Sequence, residues 1–518
     1  MPARAAVACG HPVTAAAAAE VLEDGGNAFD AVLAAMFAAC VAEPVLASLG
    51  GGGYLLAQSQ VGDPLVYDFF VQTPLRKPDP ARLDFHAIHV DFGTTRQEFH
   101  IGLGAVATPG AVRGAFAIHR DLCTLPMTRL VEPAVRAARE GVCVNRLQSF
   151  IFDIIRPIYL ATPEAKQTYA SRSRPDSLST EGETLIQEAL ADTLEALARD
   201  GDSLFYDGEI GRRIVKLCGD GGGLLGVEDL ECYRVECRQA LSVDYRGARL
   251  STNSPPSSGG ILIAFALRLL ESCDVQALAF GSAAHLGLLA NVMELTNKAR
   301  VDSQAGAGTL AGGGILDPSY LQRYRKEILG RIACSRGTTH ISVIDAAENV
   351  AAMTLSNGEG CGHLIPDTGV MLNNMLGEED VNPRGFHRWQ PGKRMSSMMA
   401  PSLLRLPDGQ RIALGSGGSN RIRSAMLQVI SNLVDFAMPL QQAVDSPRIH
   451  SERGHLNVEP GYLEPDLRTL LAANPDHTTW DSLNLFFGGV NAVALSELSF
   501  VAAGDPRRGG LGMVLKQA

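Results

Sequence analysis

The chain has 518 residues, with 45 Lys and Arg against 56 Asp and Glu for a formal charge of −11, a pI of about 5.6 and a mean hydropathy of +0.06. An acidic balance disfavours nucleic acid or an anionic membrane surface as partner. The 46% of hydrophobic residues suffices for one large core or two medium ones and excludes general disorder, and the 54 Gly follow no Gly-X-Y period, which excludes collagen.

The amino-terminal stretch is Ala-rich but broken by His11, Pro12 and Glu20, so it contains no continuous apolar core of a signal peptide. Its longest uncharged apolar run, Ala31 to Ala42, is twelve residues, short of the roughly 20 that a membrane helix needs. Ten cysteines show no CxxC spacing and read as reduced, mostly buried thiols. These features together predict a soluble cytoplasmic protein.

Val13 to Asp24 and Ala28 to Ala42 read as two helices separated by Gly25-Gly26-Asn27, where Gly ends the first and Asn27 caps the second. The second is apolar nearly all round, which places it inside a layered structure. Gly50 to Gly53 reads as a backbone-exposing loop that enters a strand at Leu55, followed by a strand at Leu65 to Phe70. From about 110 to 300 helical spacing dominates, at Leu130 to Glu140, Thr184 to Asp200 and Gly260 to Glu271. After 336 the texture changes: His340 to Asp345 and Val350 to Ser356 form a strand hairpin around a turn at Ala346 to Asn349. Gly415 to Asn420 reads as a small-residue loop, and Ile422, Met426, Val429, Ile430 and Leu433 mark one helix face. The change of texture suggests a boundary near 337.

Common catalytic signatures are missing. No GxxxxGK[ST] occurs, and the Gly50 to Gly53 run follows a helix and precedes a strand, the reverse of a dinucleotide loop. No HExxH or GxSxG occurs either. His340 and His363 read as hydrogen-bonded structural residues, and no metal is expected.

The block Gly337-Thr338-Thr339-His340-Ile341-Ser342-Val343-Ile344-Asp345 resembles the gamma-glutamyltransferase family of the N-terminal nucleophile hydrolases. The likeness recurs in order along the chain: Gly25-Gly26-Asn27-Ala28, Glu43-Pro44, Ala107-Thr108-Pro109-Gly110, Pro255 to Gly260, Asn373-Asn374, Lys393 to Met398, Gly415 to Gly418, Ser446-Pro447-Arg448 and Asp505-Pro506-Arg507. The resemblance implies an α+β fold, a four-layer αββα sandwich formed jointly by two autocleaved pieces: a large subunit 1–337 and a small catalytic subunit 338–518. The chemistry agrees. A cut before Thr338 leaves one residue that carries both a hydroxyl nucleophile and an α-amine with a pKa of about 7.7–8.0, a suitable base at neutral pH.

Carried over by position, the resemblance makes Ser356 the hydroxyl that hydrogen-bonds the nucleophile, and Gly418 and Ser419 the pair whose backbone N–H groups hold the oxyanion. Asn357 matches a substrate-binding Asn, Ser396 and Ser397 match serines that bind the donor carboxylate, and Glu378, with Asp380 as the alternative, matches the acid that binds the donor amine. Phe70 stands where the family has an Arg that clamps that carboxylate, which an aromatic ring cannot replace. A cation from Arg76, Lys77, Arg384, Arg388 or Arg394 is the alternative source. The function implied is cleavage of gamma-glutamyl amides such as glutathione through an acyl-enzyme, with transfer to water or an amine. Two alternatives stand beside it: a relative hydrolysing another small amide, as oxamate amidohydrolase or cephalosporin acylase relatives do, and an unprocessed homologue acting as a binding protein. The partners expected are a small amide donor and its acceptor, with a heterodimer of cleaved subunits that can pair again. No cofactor is implied, since nucleophile, base and oxyanion donors are all protein groups.

Overall fold

The apolar strand patterns assemble into two large antiparallel sheets in the computed structural model, which describes residues 3–91, 96–305, 314–325, 338–382, 385–497 and 499–516. In chain order their strands are β1 (Ala3–Cys9), β2 (Gly52–Gln58), β3 (Leu65–Phe69), β4 (Glu236–Gln239), β5 (Leu241–Tyr245), β6 (Ala248–Thr252) and β7 (Thr339–Asp345). They continue with β8 (Val350–Ser356), β9 (Ser402–Arg405), β10 (Arg411–Gly417), β11 (Gly489–Ser496), β12 (Ser499–Ala503) and β13 (Leu511–Lys516). The first sheet has the order β13-β1-β7-β8-β2-β3-β4 and the second β12-β11-β10-β9-β6-β5.

Central strands are apolar on both sides because both sides are covered. Ala5, Val7 and Cys9 of β1 and Ile341 and Val343 of β7 face one core, while Ala6, Ala8 and Ile344 face the other, as the period of two requires. The first core is closed by helices α1 (Pro12–Glu23), α2 (Ala28–Ala42) and α3 (Met127–Glu140), with α1 on β1 and α2 on β7 and β8. In the second core β1, β7 and β8 meet strands β9 to β12, and the helices α4 (Gly259–Leu270), α5 (Ala283–Ala305) and α6 (Arg421–Val434) pack beyond, α4 and α6 on the second sheet and α5 against α4.

Helix α2 is buried along its whole length, as its all-round apolar composition predicts. Asn27 caps it by accepting from the N–H groups of Phe29 (2.8 Å) and Asp30 (2.9 Å), and Asp30 Oδ2 accepts from Asn27 N–H in return. Its two ends are tied to β7: Ala28 N–H donates to Asp345 Oδ2 at 2.8 Å, and Thr339 Oγ1 donates to Glu43 Oε2 at 2.8 Å. Fifteen helical residues and seven strand residues both span about 22–24 Å, so helix and strand lie side by side with matched ends.

Several sequence expectations are corrected. Thr184 and Leu185 do not begin a helix; they pair with Val142 and Cys143 as a short ribbon, and the helix starts at Glu188. The helical stretch from 110 to 300 also contains β4, β5 and β6, whose alternation is masked by the charged residues at exposed positions. Gly415 to Gly417 belong to β10 instead of a loop, and Gly50 to Gly53 are buried, not exposed. The glycines in both places admit another backbone at short range. A Cβ on Gly51 would lie 2.4 Å from Ser356 O, and one on Gly417 would lie 1.9 Å from Thr338 O.

Gly417→Ala should therefore cost about 1–3 kcal/mol by forcing β10 away from β7, read as a lowered urea midpoint. Gly219→Ala, in a helix where a Cβ meets nothing within 4 Å, should leave the midpoint unchanged or raise it.

Candidate active site

Thr338 immediately precedes β7 and is buried at 3% exposure. Its carbonyl accepts from Arg508 Nη1 at 3.2 Å, and the next residue is held by Glu43, whose Oε1 also accepts from Thr14 Oγ1 at 2.8 Å. Burial raises the Glu43 carboxyl above its ordinary range, opposed by those two hydroxyls and by Arg508. His340 sits between Thr354 Oγ1 (2.7 Å) and Ser342 Oγ (2.9 Å), and burial pushes its pKa down to about 3, so it is a neutral structural ring. His363 contacts Asp84 at 3.3 Å, also as a structural residue.

The hairpin β7–β8 pairs Thr339 with Leu355, and the same register carried one step further sets Thr338 opposite Ser356. Both line a small cleft together with Glu378, Ser397, Ser419, Phe70 and an apolar rim of Met375, Val381, Met398, Met399 and Ile422. Five of the eight residues singled out from the sequence thus meet in one place. Gly418, with φ +119°, precedes Ser419 at the turn from β10 into α6. Ser419 adopts φ +49°, a left-handed conformation unusual for a side-chain-bearing residue, so the backbone there keeps a shape that glycine usually serves.

The other expected residues lie differently. Ser396 turns into a neighbouring cleft with Thr73, Arg388, Trp389 and Lys393, and its Oγ donates to Ser258 Oγ at 3.3 Å. Asn357 is wholly buried behind Ser356, and its amide oxygen and nitrogen both have no hydrogen-bond partner. The side chain of Asp380, like all of Gly337 and Arg384, lies outside the described residues.

Phe70 is fully buried and stacks on Tyr54 with ring centroids 5.6 Å apart. Four of the five candidate replacement cations fall within the described residues, and none of the four lines this cleft. Arg394 donates to Phe70 O and Tyr233 OH, lies 4.6 Å over the Tyr233 ring and pairs with Asp68 at 3.5 Å. Arg76 pairs with Glu228 in solvent, Lys77 donates to Trp389 O, and Arg388 belongs to the neighbouring cleft. Among the described residues lining the Thr338 cleft, Glu378 is the charged one. Sequence reading assigned no role to Glu43 or Arg508: Glu43-Pro44 and Asp505-Pro506-Arg507 marked their neighbourhoods, but contact with β7 is a property of the fold.

A family model described as Gamma-glutamyltranspeptidase matches residues 14–515. The chain is 31% identical over 512 residues to Acylase ACY 1 proenzyme of Pseudomonas sp. (strain V22), covering 95% of this chain and 90% of that protein. It is 30% identical over 498 residues to Glutathione hydrolase proenzyme of Escherichia coli (strain K12), covering 88% and 82%. The fold resembles cephalosporin acylase from Bacillus halodurans with a TM-score of 0.85 at 23% identity, over 100% of this chain and 97% of that one. Gamma-Glutamyltranspeptidase of Helicobacter pylori gives a TM-score of 0.54 at 26% identity, over 62% and 91%.

Buried neutral imidazoles make stability depend on pH. His340 is pushed down to about 3, and His11 and His285 to about 4, against 6.5 when unfolded. Below pH 6.5 the unfolded chain binds protons that the folded chain refuses, so stability is lost as pH falls from 6.5 toward 4, by on the order of 1 kcal/mol per pH unit and histidine. Glu452, held down to about 2, acts later: its contribution is present above the unfolded carboxyl pKa and is lost as pH falls from there toward 2. The urea midpoint should decline from pH 6.5 downward, and His340→Gln should flatten that decline; a midpoint constant between pH 7.5 and 5 would contradict the burial of these rings.

Proposed function

The chain belongs to the gamma-glutamyltranspeptidase family, and from that premise we propose that it is an autoprocessed N-terminal threonine amidohydrolase or acyltransferase. The observation that carries the reading is the meeting of Thr338, Ser356 and Ser419 in one cleft at the head of a buried strand. Two relatives are named as proenzymes, which supports maturation from a precursor; the cut proposed is before Thr338, giving subunits 1–337 and 338–518 in one four-layer αββα sandwich. That arrangement is a heterodimer, with pairing of heterodimers as the next level of assembly.

In the proposed reaction Thr338 Oγ1 attacks the amide carbon while the freed α-amine takes the hydroxyl proton. Ser356 orients the hydroxyl, and the N–H groups of Gly418 and Ser419 hold the oxyanion. The α-amine returns the proton to the leaving nitrogen as the C–N bond breaks, and water or an acceptor amine then takes the acyl group from the ester. Glu378 and Ser397 face the acyl part, with Ser396 and Asn357 as outer contacts. The setting we propose is cytoplasmic, as inferred from composition.

Gamma-glutamyl amides of the glutathione type are the donors expected from the family. Phe70 in the cleft, and the engagement of Arg394 with Asp68 and Tyr233, favour a second reading in which a different small amide is hydrolysed, as the likeness to an acylase at 31% identity also suggests. A binding protein without activity is the third.

Denaturing electrophoresis of the purified protein should give two fragments of about 36 and 19 kDa, from 55.0 kDa divided by length. Thr338→Ala should remain one inactive chain; full activity in that variant would overturn the mechanism, and a single-chain native protein would favour the third reading. Phe70→Arg should improve kcat/KM for a gamma-glutamyl anilide by about 10- to 100-fold, mainly through KM, because a charge-assisted bond to a carboxylate contributes about 1.5–3 kcal/mol. A native protein that already hydrolyses glutathione with a micromolar KM would instead restore the family donor.

A further inference from the structure

Arg508 is the buried cation that touches the nucleophile's own backbone. Its side chain occupies a slot framed by glycines: a Cβ on Gly417 would meet Nη1 at 3.4 Å, one on Gly418 would meet Nη2 at 3.2 Å, and one on Gly489 would meet Cδ at 2.5 Å. Nη1 donates to Thr338 O at 3.2 Å and Nη2 to Leu485 O at 3.1 Å. The residue is 7% exposed, its Nε has no hydrogen-bond partner, and among the described residues no carboxylate lies within ion-pair distance of it. Two neutral carbonyls do not cancel a full charge. Burying a guanidinium this way is costly, and a fold that only needed to fill the slot would do so with an apolar side chain.

The turn that carries Arg508 is itself fixed by charge. Arg507 pairs with Glu459 at 2.6 Å, and Asp505 pairs with Arg448 at 2.6 Å while accepting from the N–H groups of Arg507 (3.0 Å) and Val490 (2.8 Å). The neighbouring arginines are thus paired with their own acids, while Arg508 hydrogen-bonds Thr338 and Leu485 and feels Asp505, Glu359 and Glu43 from beyond ion-pair distance.

We propose that Arg508 is a positioning residue for the Thr338 nucleophile: it fixes that residue's carbonyl, and its charge keeps the α-amine in the neutral, proton-accepting form. The inference rests on the reading that chain cleavage exposes this amine. When Thr338 Oγ1 attacks, the hydroxyl proton moves to the amine and makes an ammonium, which then gives the proton to the leaving nitrogen as the amide C–N bond breaks. A fixed positive charge beside the amine disfavours the ammonium both before attack and after it, so the base is free at neutral pH and returns its proton readily.

Other charged groups surround the amine. Glu43 at the end of α2 is shared between Thr14 and Thr339, and burial raises its carboxyl toward the neutral form. Glu359 after β8 and Asp505 lie near Arg508, Glu378 faces Thr338 across the cleft, Arg421 and Arg423 begin α6, and His340 is neutral. Burial lowers the Arg508 pKa to about 10, which leaves the guanidinium charged at neutral pH. Arg508 is set apart from these groups by its hydrogen bond to the carbonyl of the residue that carries the amine.

The test titrates the amine itself, without a known substrate. Competitive labelling of the mature protein with acetic anhydride across pH, read by mass spectrometry of the peptide that begins at Thr338, reports its proton affinity. The wild-type amine should titrate below the ordinary 7.7–8.0. Arg508→Gln should raise its proton affinity about tenfold, and Arg508→Lys should hold it within about threefold of wild type. A wild-type amine that titrates at 8 or above overturns the proposal, as does an Arg508→Gln protein with an unchanged amine. If Arg508→Gln does not fold or mature, the wild-type titration decides alone. Absence of any free amine at Thr338 in the wild-type protein overturns the maturation reading itself, a result distinct from a free amine with ordinary basicity.

Discussion

Everything around the candidate site depends on how closely β7 is packed against its neighbours. The strand lies third of seven in its sheet, with α2 along one face and the glycine-bearing end of β10 against the other. Side chains space most strand layers about 10 Å apart. At the head of β7 that spacing collapses, because Gly417 leaves the Thr338 carbonyl room where a methyl group would overlap it. The same approach brings the turn at Gly418 and Ser419 beside the threonine, so a packing constraint and the proposed catalytic arrangement are one feature.

The charges near this contact divide into two kinds. Arg448, Asp505, Arg507 and Glu459 form a closed set, each within ion-pair distance of an opposite charge and fully shielded from solvent. Such a set contributes little net stability, since desolvation offsets attraction, but it allows few alternative geometries. Its product is a rigid turn. Glu43 and Arg508 form the second kind, buried ionisable groups bonded to neutral groups of Thr339 and Thr338. They hold the first two residues of the proposed small subunit, one through a backbone carbonyl and the other through a side-chain hydroxyl, and Glu43 and Arg508 both line one small pocket.

Local pattern in the sequence reached some of this and missed the rest for identifiable reasons. Helix α2 and the hairpin β7–β8 were legible because each is uniform in burial, so composition alone reveals it. Strands β4 to β6 were hidden: Glu236, Arg238, Asp244 and Arg249 give them a charged look, and short two-sided strands carry too few apolar residues to show alternation. Clustering of Thr338, Ser356, Glu378, Ser397 and Ser419 followed from motif resemblance, not from periodicity. Ser396 was separated from Ser397 by strand-like alternation in an extended segment, where successive side chains point to opposite sides. Arg508 and Glu43 act through backbone or next-residue contacts 170 and 296 positions away in sequence, a separation that no local pattern encodes.

The strand order also explains why a cut at the head of β7 is compatible with a single folded unit. In the first sheet β13 is followed by β1, then by β7 and β8, then by β2, so pieces on either side of residue 337 alternate across the sheet. In the second sheet β9 to β12 come from the later part and meet β6 from the earlier one. Each junction is a full antiparallel ladder, and the α2 ties from Ala28 to Asp345 and from Thr339 to Glu43 add further links between the parts. A cut before Thr338 would leave every strand pairing among the described residues in place. The new chain end would lie at the edge of the cleft that holds Ser356 and Ser419, so the proposed cut is at the bond whose removal would create a base beside the proposed nucleophile without loosening the frame that aims it.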